Sequence, residues 1–292
     1  MSAGVERARA GVERARAGVE RARALWPATL HHLCRAGPEP ERLARFYGEL
    51  LGDKVERVGE DWLVSGPGRR LVVGGGEKGA VPYFALRAQD AGRLRECRRE
   101  LEKKVRIEPS PSPLFGADAF AVADPDGRKI VIGLADAHPG GSAGRLQHFV
   151  CASTRLEAML EFYRDVLGLQ ESDRVLEDKA LAAVFLRSDP EHHSFAAFRA
   201  PESRADHHCY ETRSWNDIRD WADRMARLRI PLWWGPGRHG PGNNLFFMIE
   251  DPDGHKVEFS AELEQLPAGA PFRTWPHEQR TLNLWGSAWM RS

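Results

Sequence analysis

The sequence predicts an α+β fold of two tandem modules, each assembled from paired βαβββ units. Three observations carry that prediction. The chain has 292 residues, enough for two modules of ordinary size. A strand–turn–helix pattern occurs twice, as LHHLCRAGPEPERLARFYGELLG at 30–52 and LQHFVCASTRLEAMLEFYRDVLGL at 146–169. The turn Asp-Pro-Asp-Gly also occurs twice, in ADPDGRKIVIG at 123–133 and EDPDGHKVEFS at 250–260. Self-similarity on this scale marks a duplicated structural unit.

Residues 1–24 form an N-terminal extension, in which 3–23 is the heptapeptide AGVERAR written three times. Val5, Ala8, Val12, Ala15, Val19 and Ala22 keep the alternating spacing of a coiled-coil seam. Those seam residues are small, and Gly recurs at Gly4, Gly11 and Gly18. Three such heptads are marginal as a free helix. The expectation is a frayed segment, or a helix held by a neighbouring subunit, with no catalytic part.

The first module spans 25–140. Its opening strand leads into a helix, and the same pattern opens the second module, which spans 144–262. In the second copy Leu156, Met159, Leu160, Tyr163, Val166 and Leu167 make one apolar helical face. Gly52 and Gly168 stand where helix C-caps belong. Each module continues through another strand–helix pair, VPYFALRAQDAGRLRECRREL at 81–101 and DHHCYETRSWNDIRDWADRM at 206–225. In the latter, Ile218, Trp221, Ala222 and Met225 form the buried stripe. Asp-Pro-Asp-Gly closes each module's last hairpin, because Pro presets φ and Gly accepts a positive φ. HPGGSAG at 138–144 reads as a linker. Residues 263–292 form a tail with Trp275, Trp285 and Trp289, expected to pack over the second module.

The charge balance, 42 basic against 42 acidic residues, argues against a dedicated nucleic-acid binder. A hydrophobic content of 42% is enough for sizeable cores. No apolar run is long enough to span a membrane, and the N-terminus lacks the apolar core of a signal peptide. The expected location is the cytoplasm. Cys34, Cys97, Cys151 and Cys209 contain no CxxC pair, so they are expected to be reduced core residues.

Chemistry concentrates between His207 and Glu258. A buried carboxylate is costly unless something pairs with it. Two histidines and one carboxylate with open coordination positions suit a non-haem Fe(II) centre that activates O2. The repeat supplies a control. Where the second module has Glu258 the first has Val131, and where the second has His207 the first has Tyr83. Only the first-strand histidine occurs in both, as His32 and His148. The first module thus keeps the scaffold without the ligand set, and His32 reads as a structural relic. His207 and His208 are neighbours on a strand and point to opposite faces; alternation alone leaves open which faces the core.

The segments LQHFV (146–150), HHSFAAF (192–198), DHHCYETRSWNDI (206–218), GPGRHG (235–240) and DPDGHKVEFS (251–260) agree in order and spacing with one family. From about Leu25 to Ser292 the chain resembles the type I extradiol (meta-cleaving) ring-cleavage dioxygenases of the vicinal oxygen chelate superfamily, which also contains the glyoxalases and bleomycin-resistance proteins. It is similar to the catechol 2,3-dioxygenases of aromatic hydrocarbon catabolism. The resemblance implies modules curled into incomplete barrels, and Fe(II), less often Mn(II), held by the second module. It implies O2 as co-substrate, a catechol-type substrate cut beside its vicinal hydroxyls, and a homo-oligomer. The implied metal ligands are His148, His207 and Glu258. The family's spacing to Trp215 and Glu258 selects His207, so His208 should face away. His193 matches the family's acid–base histidine, and His239 the one that hydrogen-bonds substrate. Nine residues after that histidine the family usually has Tyr, and this chain has Met248. A thioether donates no proton.

Two other functions fit the scaffold: a non-catalytic protein that binds a small aromatic ligand, and a glyoxalase-type metal-dependent isomerase or lyase. The former generally lacks the full ligand triad. The latter commonly draws ligands from paired modules, against which Val131 and Tyr83 argue.

Overall fold

The structure, a computed structural model, describes residues 25–135 and 144–290. The heptapeptide extension and most of the Gly-rich junction lie outside the described residues. The first module runs β1 (Ala28–Gly37), α1 (Pro40–Leu51), β2 (Lys54–Val58), β3 (Asp61–Gly66), β4 (Arg69–Gly75), β5 (Tyr83–Ala88), α2 (Ala91–Leu101), β6 (Glu108–Pro109), β7 (Phe120–Ala123) and β8 (Lys129–Gly133). The second runs β9 (Leu146–Ser153), α3 (Leu156–Glu161), β10 (Gln170–Glu177), β11 (Ala180–Arg187), β12 (Phe195–Arg199), β13 (Arg204–Glu211), α4 (Trp215–Arg227), β14 (Trp234–Arg238), β15 (Leu245–Glu250) and β16 (Lys256–Ala261). The tail adds β17 (Arg273–Pro276) and α5 (Gln279–Leu282).

The two sheets share one strand order. It is β2-β3-β4-β1-β5-β8-β7-β6 in the first and β10-β11-β12-β9-β13-β16-β15-β14 in the second, with β17 added beyond β10. The paired βαβββ architecture is therefore present twice. α1 begins with Pro in its first turn and stops at Gly52, whose φ of 73° returns its N–H to the Gly48 carbonyl. Both Asp-Pro-Asp-Gly turns form: Asp124 and Asp251 each accept two backbone N–H groups from their own loop. The helix after β9 departs from a regular α-helix. After Glu161 it widens into a π turn over Phe162–Val166, with Leu167 N–H bonded to Phe162 O. Within that turn Tyr163 stacks on Phe195 at 3.6 Å and reaches across to the first module.

Strand register explains the site. In β13, Cys209 lies opposite His148 of β9 and beside Glu258 of β16. His207 is two residues from Cys209, on the same face. Three adjacent strands thus present His148, His207 and Glu258 together. The first module repeats the register, with Ala85 of β5 beside His32 of β1 and Val131 of β8.

The modules meet through a reciprocal exchange. The Tyr47 hydroxyl donates to Asp251 at 2.8 Å, and the Tyr163 hydroxyl donates to Asp124 at 3.1 Å. Each tyrosine closes the Asp-Pro-Asp-Gly turn of the other module. Arg35, with no exposed side-chain surface, pairs with Asp251 at 2.7 Å. Phe84 packs on Phe149 across the same seam. Removing one partner of a buried ion pair leaves an uncompensated charge. Asp251→Asn is therefore expected to destabilise the fold by about 3–5 kcal/mol, read as a lower denaturant midpoint. An unchanged midpoint would show that Arg35 finds another partner.

Candidate metal centre

His148, His207 and Glu258 are almost fully buried. Their ligand atoms all lie within 4.8 Å of one another. Glu258 Oε2 stands 3.4 Å from His148 Nε2 and 3.1 Å from His207 Nε2. Donor atoms on one first-row ion at about 2.1 Å stand about 3 Å apart when adjacent, so this spacing suits a shared cation.

Tautomers sharpen the fit. Asp206 sits 2.6 Å from His207 Nδ1. A carboxylate can only accept, so Nδ1 carries a proton, and Nε2 faces Glu258 across either a second proton or a metal ion. A lone pair facing a carboxylate at 3.1 Å is repulsive unless a cation lies between them. Burial alone would pull the His207 ring down, but Asp206 and Glu258 outweigh it and hold the ring above its usual value. Burial pulls His148 down. Burial would push Glu258 up, yet the two flanking imidazoles hold it well below the carboxylate range. Without metal, a proton shared by His207 and Glu258 offsets the charge. A divalent cation would take that proton's place.

Two further histidines follow the same rule. His239 Nδ1 lies 2.5 Å from the Leu282 carbonyl, which can only accept. His193 Nδ1 lies 2.9 Å from His192 Nδ1. Burial, then His148 and His192, depress the His193 ring well below its usual value. Both rings line the same cavity as the triad, with Val150, Phe185, Phe198, Pro241, Met248, Thr281 and Leu282. That space is about 390 Å³ when its open mouth and the solvent there are included.

Every residue singled out from the sequence for this site lies at this cavity. His208 turns the other way, against His255 and the Tyr47 ring. His239 follows directly on β14, an edge strand of the second sheet. Phe246 lies under His239, stacked at 3.8 Å, and Phe247 belongs to the core. Some contributors were not anticipated. Asp206 orients His207, and Asn244 donates to Glu258 Oε1 at 3.2 Å. Thr281 and Leu282 bring the tail into the cavity wall. In the first module the equivalent space is filled. His32 bonds to Ser112 at 2.7 Å, and the Phe115 and Tyr83 rings pack against it. The four cysteines are free and buried. No helix among the described residues is long and apolar enough to cross a membrane.

Comparison with known proteins bears on the fold and on the family of the second module. Residues 145–259 match the profile of the Glyoxalase/Bleomycin resistance protein/Dioxygenase superfamily. The chain is 30% identical over 173 residues to metapyrocatechase 2 of Cupriavidus necator, covering 59% of this chain and 52% of that protein. It is 29% identical over 201 residues to an iron-dependent extradiol dioxygenase of Rhodococcus jostii (strain RHA1), covering 64% of each. The chain thus spans between about half and just under two thirds of the length of these two relatives. Among solved structures, homoprotocatechuate 2,3-dioxygenase of Arthrobacter globiformis superposes with a TM-score of 0.78 at 23% identity, over 91% of this chain and 90% of that one. The Mn(II)-bound glyoxalase of Novosphingobium aromaticivorans gives 0.75 at 21%, over 88% and 90%. At such identities these two structures establish the fold alone.

Proposed function

We propose that this chain, whose second module is a domain of the Glyoxalase/Bleomycin resistance protein/Dioxygenase superfamily, is an Fe(II)-dependent extradiol dioxygenase. It opens a catechol-type ring beside its vicinal hydroxyls with O2. The observation that carries the reading is the convergence of His148, His207 and Glu258 in the wall of a largely apolar cavity. The likeness to metapyrocatechase 2 and to the iron-dependent extradiol dioxygenase supports it.

His148, His207 and Glu258 would hold the ion on one face and leave its other positions to ligands. Bound there, iron(II) supplies Lewis acidity toward a chelating diol and an electronic link between the ring and O2. The remaining steps belong to the protein. Val150, Phe185, Phe198 and Met248 give the cavity an apolar wall, the kind of surface an aromatic ring packs against. His239, with Nδ1 tied to the Leu282 carbonyl, keeps Nε2 to receive a substrate hydroxyl proton. His193, buried against the His148 ring, accepts a proton and returns it as the ring opens. Met248 packs and cannot donate, so proton traffic rests on these two rings. A manganese-loaded enzyme is the variant reading, because a relative is a manganese-dependent 2,3-dihydroxybiphenyl 1,2-dioxygenase.

The test is anaerobic loading with Fe(II), followed by O2 uptake and visible absorbance against a panel of catechols. One O2 consumed per ring, with a yellow ring-opened product, is the expected result. Stoichiometric iron with no uptake across the panel would overturn the reading in favour of ligand binding without turnover.

A further inference from the structure

Behind the cavity lies a buried polar chain that the proposed reaction does not use. Asp173 of β10 accepts four hydrogen bonds: from Arg273 Nε at 2.8 Å, Arg273 Nη2 at 3.1 Å, Trp275 Nε1 at 2.9 Å and His192 Nε2 at 2.8 Å. His192 Nδ1 then meets His193 Nδ1 at 2.9 Å. Neither the Asp173 side chain nor the His192 side chain has exposed surface. Arg273 and Trp275 come from β17, whose pairing on β10 sets Arg273 beside Asp173. Gly242 makes room for this chain, because a Cβ there would stand 3.1 Å from His192 Nδ1.

We infer that Asp173 and His192 are positioning residues that lock His193 in the Nδ1–H tautomer, and that the C-terminal tail holds this lock in place. The argument is one of donors and acceptors. Asp173 is ionised beside the Arg273 guanidinium, so it only accepts, and His192 Nε2 must carry a proton. Arg273, shared with the partly exposed Glu264, already bonds both Asp173 oxygens, and Trp275 adds a third donor, so Asp173 calls on His192 only as a neutral N–H donor. A neutral His192 therefore offers a lone pair at Nδ1. His193 must donate to it from its own Nδ1, which leaves the His193 Nε2 lone pair for the cavity. The ring is thereby set as a base before substrate arrives, with no reorientation needed. That catalytic use rests on the proposed function, while the tautomer lock does not.

The experiment is two-bond ¹H–¹⁵N spectroscopy of the histidine rings in the full-length protein, loaded with Zn(II) as a diamagnetic stand-in. The expected result is an Nε2–H tautomer for His192 and Nδ1–H for His193. Asp173→Asn leaves the His192 Nε2 proton only a neutral acceptor, one shared with Arg273 Nη2 and Trp275 Nε1, so the hold on that tautomer weakens. The His193 signal should then shift toward Nε2–H. In the iron-loaded variant kcat should fall about ten-fold or more with KM changed little. If Asp173→Asn fails to fold, His192→Phe removes the acceptor, and His193 should lose its Nδ1–H preference. A wild-type His193 protonated at Nε2, or one whose tautomer is unmoved in the folded variant, overturns the inference. Correct tautomers in a protein that turns over no catechol would leave the lock standing and sink the dioxygenase reading alone.

Discussion

Glu258→Gln is expected to remove both the metal and the turnover. Glutamine keeps the shape of the side chain and loses its charge. The two imidazoles would then face a neutral amide, and one of three ligands to a divalent cation would be weak. Activity with a catechol should fall on the order of 10³-fold or more. The fold should survive, because the substitution removes a buried charge instead of stranding one. Among the described residues no Lys or Arg pairs with Glu258, only His148, His207 and, more distantly, His239. Thermal denaturation separates the two effects. Metal at 100 times its dissociation constant should stabilise the wild type by about 2.7 kcal/mol and the variant hardly at all. A variant that retained stoichiometric iron and its rate would remove Glu258 from the ligand set.

The same residue shows why the scaffold was legible in the sequence. Duplication gives each ligand an internal control, so Glu258 stands out against Val131 and His207 against Tyr83. Alternation along a strand and the shared strand order then require the three side chains to meet. What the sequence did not reveal is set by segments far apart in the chain. Asp206 adjoins His207 in sequence, yet nothing in strand periodicity says that its carboxylate folds back on the neighbouring ring. Asp173 meets Arg273 only after β17 adds to the sheet edge, and a four-residue strand in a Pro- and Gly-containing tail carries no clear pattern. The exchange of Tyr47 and Tyr163 between modules is equally invisible, since each tyrosine looks like one more apolar residue on a helix face. The π turn escapes for a related reason. Its apolar spacing fits an ordinary helix, while Tyr163 within it makes contacts with Phe195 and Asp124 that lie far away in the sequence.

His193→Gln is expected to separate chemistry from metal binding. The substitution leaves His148, His207 and Glu258 in place, so iron should remain stoichiometric. The amide has no lone pair basic enough to take a proton. General acid–base catalysis by a positioned imidazole contributes about 10²–10⁴-fold, and kcat should fall within that range. KM should move little, because the apolar walls and His239 remain to seat the ring. The size of the fall also tests how proton traffic is shared. Met248 cannot donate a proton, and no tyrosine is among the described residues that line the cavity, so the proposed proton traffic falls to His193 and His239. A loss near the upper end would mean that His193 carries the proton alone. A loss near the lower end would mean that His239, tied at Nδ1 to the Leu282 carbonyl, takes over part of the work. An unchanged kcat with full iron would reduce His193 to a wall residue, and would leave the Asp173–His192 chain behind it with a tautomer to hold and no reaction to serve.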